Sequence, residues 1–128
     1  MTALILHGSS HVGTRISDRL SEIRGLTVVD GGGESAEASK LIAELKPDVV
    51  VLDAQLGGGA GMELLRRTRS FNWPLLVIAT ATSPFAQYHR QCMREGADYF
   101  FQMPVELENL VTVILEWGAK NPQAPSLA

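Results

Sequence analysis

Pro47-Asp48-Val49-Val50-Val51-Leu52-Asp53 is the stretch that decides the fold. Four consecutive apolar residues, three of them β-branched, carry no charge and end on a carboxylate. A strand with one wet face would alternate apolar and polar side chains. This one does not, so both of its faces are buried, as in the middle of a parallel sheet. Pro47 also marks a boundary. Leu41, Ile42 and Leu45 form the inner face of a helix that must stop at Lys46, because the residue before a proline is driven out of the α region.

Working outward, short apolar runs alternate with segments of helical period. Leu4-Ile5-Leu6 reads as a buried strand, followed by an amphipathic helix through Val12, Ile16, Leu20 and Ile23. Leu26 to Val29 is a second strand, closed by Asp30 and a turn at Gly31-Gly32-Gly33. Beyond Asp53, the loop 57–61 leads to a helix around Met62, Leu64 and Leu65. Pro74 opens a fourth strand, Leu75 to Ile78. A helix from about Pro84 to Glu95 ends at Gly96, a glycine placed to close it. Tyr99-Phe100-Phe101 is the fifth strand. Pro104 starts a last helix that turns Leu107, Leu110, Val111, Ile114 and Leu115 inward. Residues 1–120 read as one domain, and 121–128 as a flexible tail.

Five strands alternating with five helices imply right-handed crossovers and a doubly wound parallel sheet of order 2-1-3-4-5. Sites in such sheets lie beyond the C-terminal strand ends. The candidate segments are His7 to His11, Asp53 to Gly59, Ala79 to Ser83, and Gln102 to Pro104. The chain has 128 residues and a net charge of −3, with no basic excess to attract nucleic acid or an anionic membrane. No apolar run approaches the roughly 20 residues of a membrane span. The single cysteine, Cys92, excludes an internal disulfide and suits a reducing, cytoplasmic setting.

Three motifs then converge: Pro47-Asp48 leading through the apolar run to Asp53, Gly61 eight residues later, and Gly96-Ala97-Asp98 leading through the fifth strand to Pro104. In this combination the chain resembles the receiver domain of bacterial two-component response regulators, over nearly its whole length. The resemblance implies a flavodoxin-like three-layer sandwich and places Asp53 where a phosphoryl group is accepted from a histidine kinase. It also implies two acidic residues after the first strand for Mg²⁺, a hydroxyl after the fourth strand, a lysine before the last proline and a switch aromatic on the fifth strand. Here the acidic pair falls on His7 and Gly8. The lysine falls on Met103, or on Gln102 by a one-residue slip. The hydroxyl falls on Thr80, with Ala79 competing for the place. The switch falls on Phe100, and the usual proline after the third strand is Gly57. A backbone carbonyl near Gln55 would join Asp53 at the metal. Mg²⁺ wants octahedral oxygen with carboxylates, so the expectation is a lost metal site and no cofactor.

Plainer readings stand beside several residues. His7, Ser9, Ser10 and His11 read as loop residues, with Ser10 capping the first helix, rather than as an anion or metal site. The segment Leu4 to Gly8 faintly resembles a hydrolase oxyanion loop. A small hydrolase using His7 to His11 would need a nucleophile elbow of the form G-x-S-x-G, and there is none. Gly31 to Gly33 is not a dinucleotide fingerprint. Cys92 reads as an idle thiol, Arg66, Arg67 and Arg69 as a solvated helix face, and Trp117 as packing. The expected role is therefore non-enzymatic: a stand-alone receiver-like module acting on a protein partner, either a histidine kinase or a downstream regulator, as a monomer or weak dimer. The alternative is a pseudo-receiver scaffold that works without phosphorylation, and the missing pocket groups favour it mechanistically.

Overall fold

The computed structural model describes residues 1–8, 10–33, 35–56, 59–82 and 86–121. Strands and helices alternate as β1 (Thr2–Leu6), α1 (Ser10–Ser21), β2 (Thr27–Gly32), α2 (Ser35–Leu45), β3 (Val49–Asp53), α3 (Ala60–Thr68), β4 (Leu76–Ala81), α4 (Ala86–Glu95), β5 (Tyr99–Gln102) and α5 (Leu107–Lys120). The sheet is parallel throughout, in the order β2-β1-β3-β4-β5. The expected architecture is thus the observed one, with β3 at its centre.

The sheet divides the core in two. Leu4, Leu6, Val50, Leu52, Val77 and Ala79 face α2, α3 and α4. Ala3, Ile5, Val49, Val51, Leu76 and Ile78 face α1 and α5, where Ile16, Leu20, Leu110, Val111 and Ile114 meet them. Each leucine, isoleucine or valine among them, fully buried, contributes about 1.5–3 kcal/mol. Leu4, Leu6, Val49, Val51 and Val77 are all buried but fall on both sides of the sheet, as the alternation of a β-strand requires. The two outer helices of one layer are tied at the surface. Arg19 of α1 donates from Nε and one terminal nitrogen to the two carboxylate oxygens of Glu108 on α5, each at 2.9 Å. That pairing holds the Glu108 carboxyl below its ordinary range and raises the Arg19 guanidinium.

Several boundaries differ from expectation. β2 runs on through Gly31 and Gly32, where a turn was expected, because Gly32 C=O accepts the His7 N–H at 2.9 Å. Gly31 lies against Leu4 and Leu6, where a Cβ would stand 2.6 Å from a Leu6 methyl. β4 extends past Ile78 to Ala81. α4 begins at Ala86, and Pro84 lies outside the described residues. α5 begins at Leu107 rather than Pro104, since Glu106 folds back to accept the Gln102 N–H at 3.0 Å and residues 103–106 form a turn. Leu115 is half exposed, not inward. At roughly 100° per residue it falls off the edge of the stripe made by Leu110, Val111 and Ile114. The breaks at Lys46, with φ 46°, and at Gly96, with φ 123°, stand where expected. No helix among the described residues is long and apolar enough to cross a membrane. Residues 122–128, expected as a tail, lie outside the described residues.

Candidate functional site

Asp53 ends β3 at the C-terminal edge of the sheet and is half-buried. Its Oδ1 accepts the Gln55 N–H at 2.8 Å, the local turn that aspartate favours after a strand. Among the described residues Oδ2 has no partner. Thr80 stands opposite Asp53 in the β3–β4 register. It shares the face of Ile78, whereas Ala79 points into the other core. Of the two expected hydroxyl positions, Thr80 is therefore the neighbour of Asp53. Its hydroxyl is buried and lies 3.5 Å from Leu52 C=O. The backbone behind the acid is tightly held. Ala54 N–H donates to Thr80 O at 2.8 Å. A Cβ on Gly61 would come within 2.8 Å of Asp53 O and 2.9 Å of Ala54 O, so only glycine lets α3 start this close.

The first-strand loop points its functional side chain elsewhere. The His7 ring is mostly covered and seated on Gly13 of α1. A Cβ at Gly13 would come within 2.1–2.2 Å of the ring atoms. Its Nε2 lies 3.2 Å from Oδ2 of Asp30 on β2. Asp30 is further fixed by the Gly32 N–H, which donates to Oδ1 at 3.1 Å. Desolvation pushes the Asp30 carboxyl up, but the Gly32 N–H and His7 outweigh it and hold the carboxyl below its ordinary value of 3.8. Gly8 contributes no side chain, and a Cβ there would lie 3.1 Å from a Leu56 methyl. Gly33 closes the same corner, since its Cβ would meet His7 O at 3.0 Å and the same methyl at 3.2 Å. Apolar packing of Leu56 on two glycines thus occupies the ground between the loops. Ser9 and the Ser10 side chain lie outside the described residues, and with them the cap expected of Ser10.

The remaining positions divide in the same way. Gln55 turns its Oε1 to Thr82, accepting from the backbone N–H at 2.8 Å and facing the hydroxyl at 3.0 Å. Met103 is buried among the α1 and α5 side chains, with Phe101, Leu110 and Ile114 in the same cluster. Gln102, on the other face of β5, is engaged through its backbone with Glu106. Phe100 packs on the α2–α4 side and stacks on His89 of α4, ring centres 5.0 Å apart and planes 17° from parallel. Gly57 lies outside the described residues. Gly13, Asp30, Thr82 and His89 are the participants that sequence reasoning missed. Only Gly13 carried a local signal, because a glycine inside a helix costs about 1 kcal/mol against alanine and asks for a reason. Elsewhere, burial pushes the Cys92 thiol up to about 11. Arg66 and Arg67 pair with Glu95 and Glu63, as a solvated helix face would. Among the described residues no three His, Cys, Asp or Glu side chains gather to hold a metal.

A family model described as the response regulator receiver domain matches residues 9–115. The chain belongs to that family. The receiver is 33% identical over 110 residues to a response regulatory protein of Vibrio vulnificus, a match that covers 86% of this chain and 44% of that one. It is 29% identical over 111 residues to the response regulator GacA of Pseudomonas aeruginosa, covering 87% and 52%. A protein-glutamate methylesterase of Methanospirillum hungatei matches at 29% over 109 residues, covering 84% of this chain and 32% of that protein. The receiver thus spans well under two thirds of the length of these relatives. In fold, it superimposes on the signal receiver domain of NarL from Mycobacterium tuberculosis with a TM-score of 0.79 at 22% identity, covering 90% and 93% of the two chains. Receiver domains of this kind belong to two-component signalling.

The seating of His7 on Gly13 gives a first prediction. Gly13→Ala should eject the His7 ring and destabilise the receiver by about 1–3 kcal/mol, the usual cost of overfilling a packed site. The gain in helix propensity offsets only part of this. Thermal melting of the variant checks it. A melting temperature at or above that of the parent would show that the ring is not held there.

Proposed function

We propose that this receiver works as a binding module whose state is set by protein contact and not by phosphorylation of Asp53. The observation that carries this reading is the commitment of the loop after β1. His7 is spent on Asp30 and Gly13, Gly8 offers no oxygen beyond its backbone, and Leu56 fills the corner between them. That donor set does not fit Mg²⁺, which needs hard oxygen ligands on several sides. Met103 supplies no cation to pair with a phosphoryl oxygen, and charge developing there would go uncompensated. The module is expected in the cytoplasm, with a histidine kinase or a downstream regulator as partner.

A second reading keeps the family's chemistry, and one observation favours it. Asp53 Oδ2 is without a partner among the described residues, beside the Thr80 backbone. In that reading the oxygen attacks phosphorus of a phosphodonor, the donor's P–O or P–N bond breaks, and an acyl phosphate forms on Asp53. Incubation with acetyl phosphate and Mg²⁺, followed by intact mass and thermal melting, separates the two. The expected result is no adduct and no change in melting temperature. A phosphoryl adduct on the parent that is lost in Asp53→Ala would establish the second reading instead.

A further inference from the structure

The end of the sheet remote from Asp53 carries another concavity. β4 and β5 begin side by side there, and between them and the last turn of α5 lies an open depression of about 540 Å³ lined by Pro74, Leu75, Leu76, Asp98, Tyr99 and Trp117. Asp98 is clamped to β4 at two points. Its N–H donates to Val77 O at 2.8 Å, and its Oδ2 accepts the Val77 N–H at 2.8 Å. Its Oδ1 has no partner among the described residues, and no cation of the described chain pairs with it. Tyr99 is 43% exposed. Its ring is backed on one side by Phe101, 6.0 Å away and within 10° of parallel. Trp117 is half-buried, packed on the α5-side core, and its carbonyl is capped by Asn121 Nδ2 at 2.8 Å.

We propose that this depression binds an organic cation, an alkylammonium or guanidinium group such as ends a lysine or arginine side chain. Asp98 Oδ1 would be its counter-ion, and Tyr99 and Trp117 would supply aromatic faces. A carboxylate beside aromatic rings attracts such a group twice over, through a charge-assisted hydrogen bond and through the ring quadrupoles. The partial negative charge at the C-terminal end of α5 acts in the same direction. An anion would meet Asp98 and that helix end, and a neutral apolar group would strip water from a carboxylate without replacing it. Lys120, in the same last turn, is exposed and makes no ion pair among the described residues. The volume suits a small ligand or one long side chain. Because the depression opens at the N-terminal ends of β4 and β5, the inference stands apart from whether Asp53 is phosphorylated.

The chain has two tryptophans, so Trp73→Phe leaves Trp117 as the sole reporter. In that background, titration with N-acetyl-argininamide should give a saturable change in tryptophan fluorescence, with a dissociation constant of about millimolar order. Sodium chloride at matched ionic strength and the uncharged citrulline analogue should give none. Asp98→Asn keeps an acceptor for Val77 N–H and should weaken binding at least about tenfold. Tyr99→Leu, which touches no backbone clamp, should weaken it as well and serves if Asp98→Asn fails to fold. A short arginine-containing peptide is the second arm. Binding much tighter than the free amide places the cation on a polypeptide partner, and equal binding makes a free small cation sufficient; either supports the site. An unsaturated response, an equal response to the citrulline analogue, or undiminished binding by the folded variants overturns the proposal.

Discussion

Val51→Asp is expected to leave the chain unfolded at room temperature. Val51 is 1% exposed and sits in β3, opposite Ile5 on one side and Ile78 on the other. Its side chain faces Leu110, Val111 and Ile114 across the layer, and no polar partner is at hand in that cluster. A carboxylate there must either lose its hydration without a counter-ion or take up a proton, and both cost several kcal/mol. The cavity and strain of replacing a β-branched side chain add to that. Domains of this size are stable by about 5–15 kcal/mol in all, so the substitution removes most or all of the margin. Val51→Ala should cost only about 2 kcal/mol and remain folded, which isolates the charge as the cause. Circular dichroism and thermal melting of the two variants check this. A Val51→Asp chain that melts cooperatively near the parent would mean that β3 is not buried on its α5 face.

The fold was legible because its information is local. An uncharged β-branched run before Asp53, helical spacing in Val12, Ile16 and Leu20, and a proline after Lys46 each constrain the backbone within a few residues. The errors came where the decisive partner is distant in sequence. Gly31 and Gly32 look like a turn in isolation and become strand because β1 lies beside them, with His7 N–H seeking Gly32 O. Ala79 and Ala81 have little strand preference of their own. They are strand because β5 pairs with them from Tyr99 onward. Leu115 was misplaced for a different reason: counting apolar residues does not say where a stripe ends.

The candidate site divides along the same line. The places of Asp53, Thr80, Phe100 and Met103 toward the C-terminal ends of β3, β4 and β5 could be read off the spacing of turns and strands. What occupies the pocket could not. The His7 ring finds Asp30 and Gly13 through the third dimension, Gln55 finds Thr82 across 27 residues, and His89 finds Phe100 from the neighbouring helix. No pattern within any one segment announces these pairs. Met103 shows the converse. As a sequence position it falls where the resemblance leads one to expect a lysine, and as a side chain it completes the α1–α5 core.

Replacing His7 and Gly8 together by aspartate is expected to make the receiver unstable without Mg²⁺ and to restore it with Mg²⁺. His7→Asp empties the space over Gly13 and sets a carboxylate against Asp30 where an imidazole stood, so packing and charge both act against the fold. Gly8→Asp brings a Cβ to 3.1 Å from the Leu56 methyl, a contact the leucine tip can relieve by moving a few tenths of an ångström. With Asp53 the chain then has three carboxylates after β1 and β3, the hard oxygen set that Mg²⁺ prefers. Binding to the folded state alone stabilises by about 2.7 kcal/mol at a hundredfold excess over the dissociation constant. In a domain of this length that amounts to a rise of roughly 10 °C in melting temperature. The parent should show no such rise. Met103→Lys belongs in a separate arm. Met103 is 2% exposed, so an ammonium there would be buried among Phe101, Leu110 and Ile114 unless β5 shifts, and it should lower stability further before it could serve a phosphoryl group. Calorimetric melting of parent, double variant and triple variant, with and without Mg²⁺, reads all of this. If the parent gains as much from Mg²⁺ as the double variant does, His7 and Gly8 are not what separates this receiver from a metal-dependent one, and the phosphorylation-independent reading fails with them.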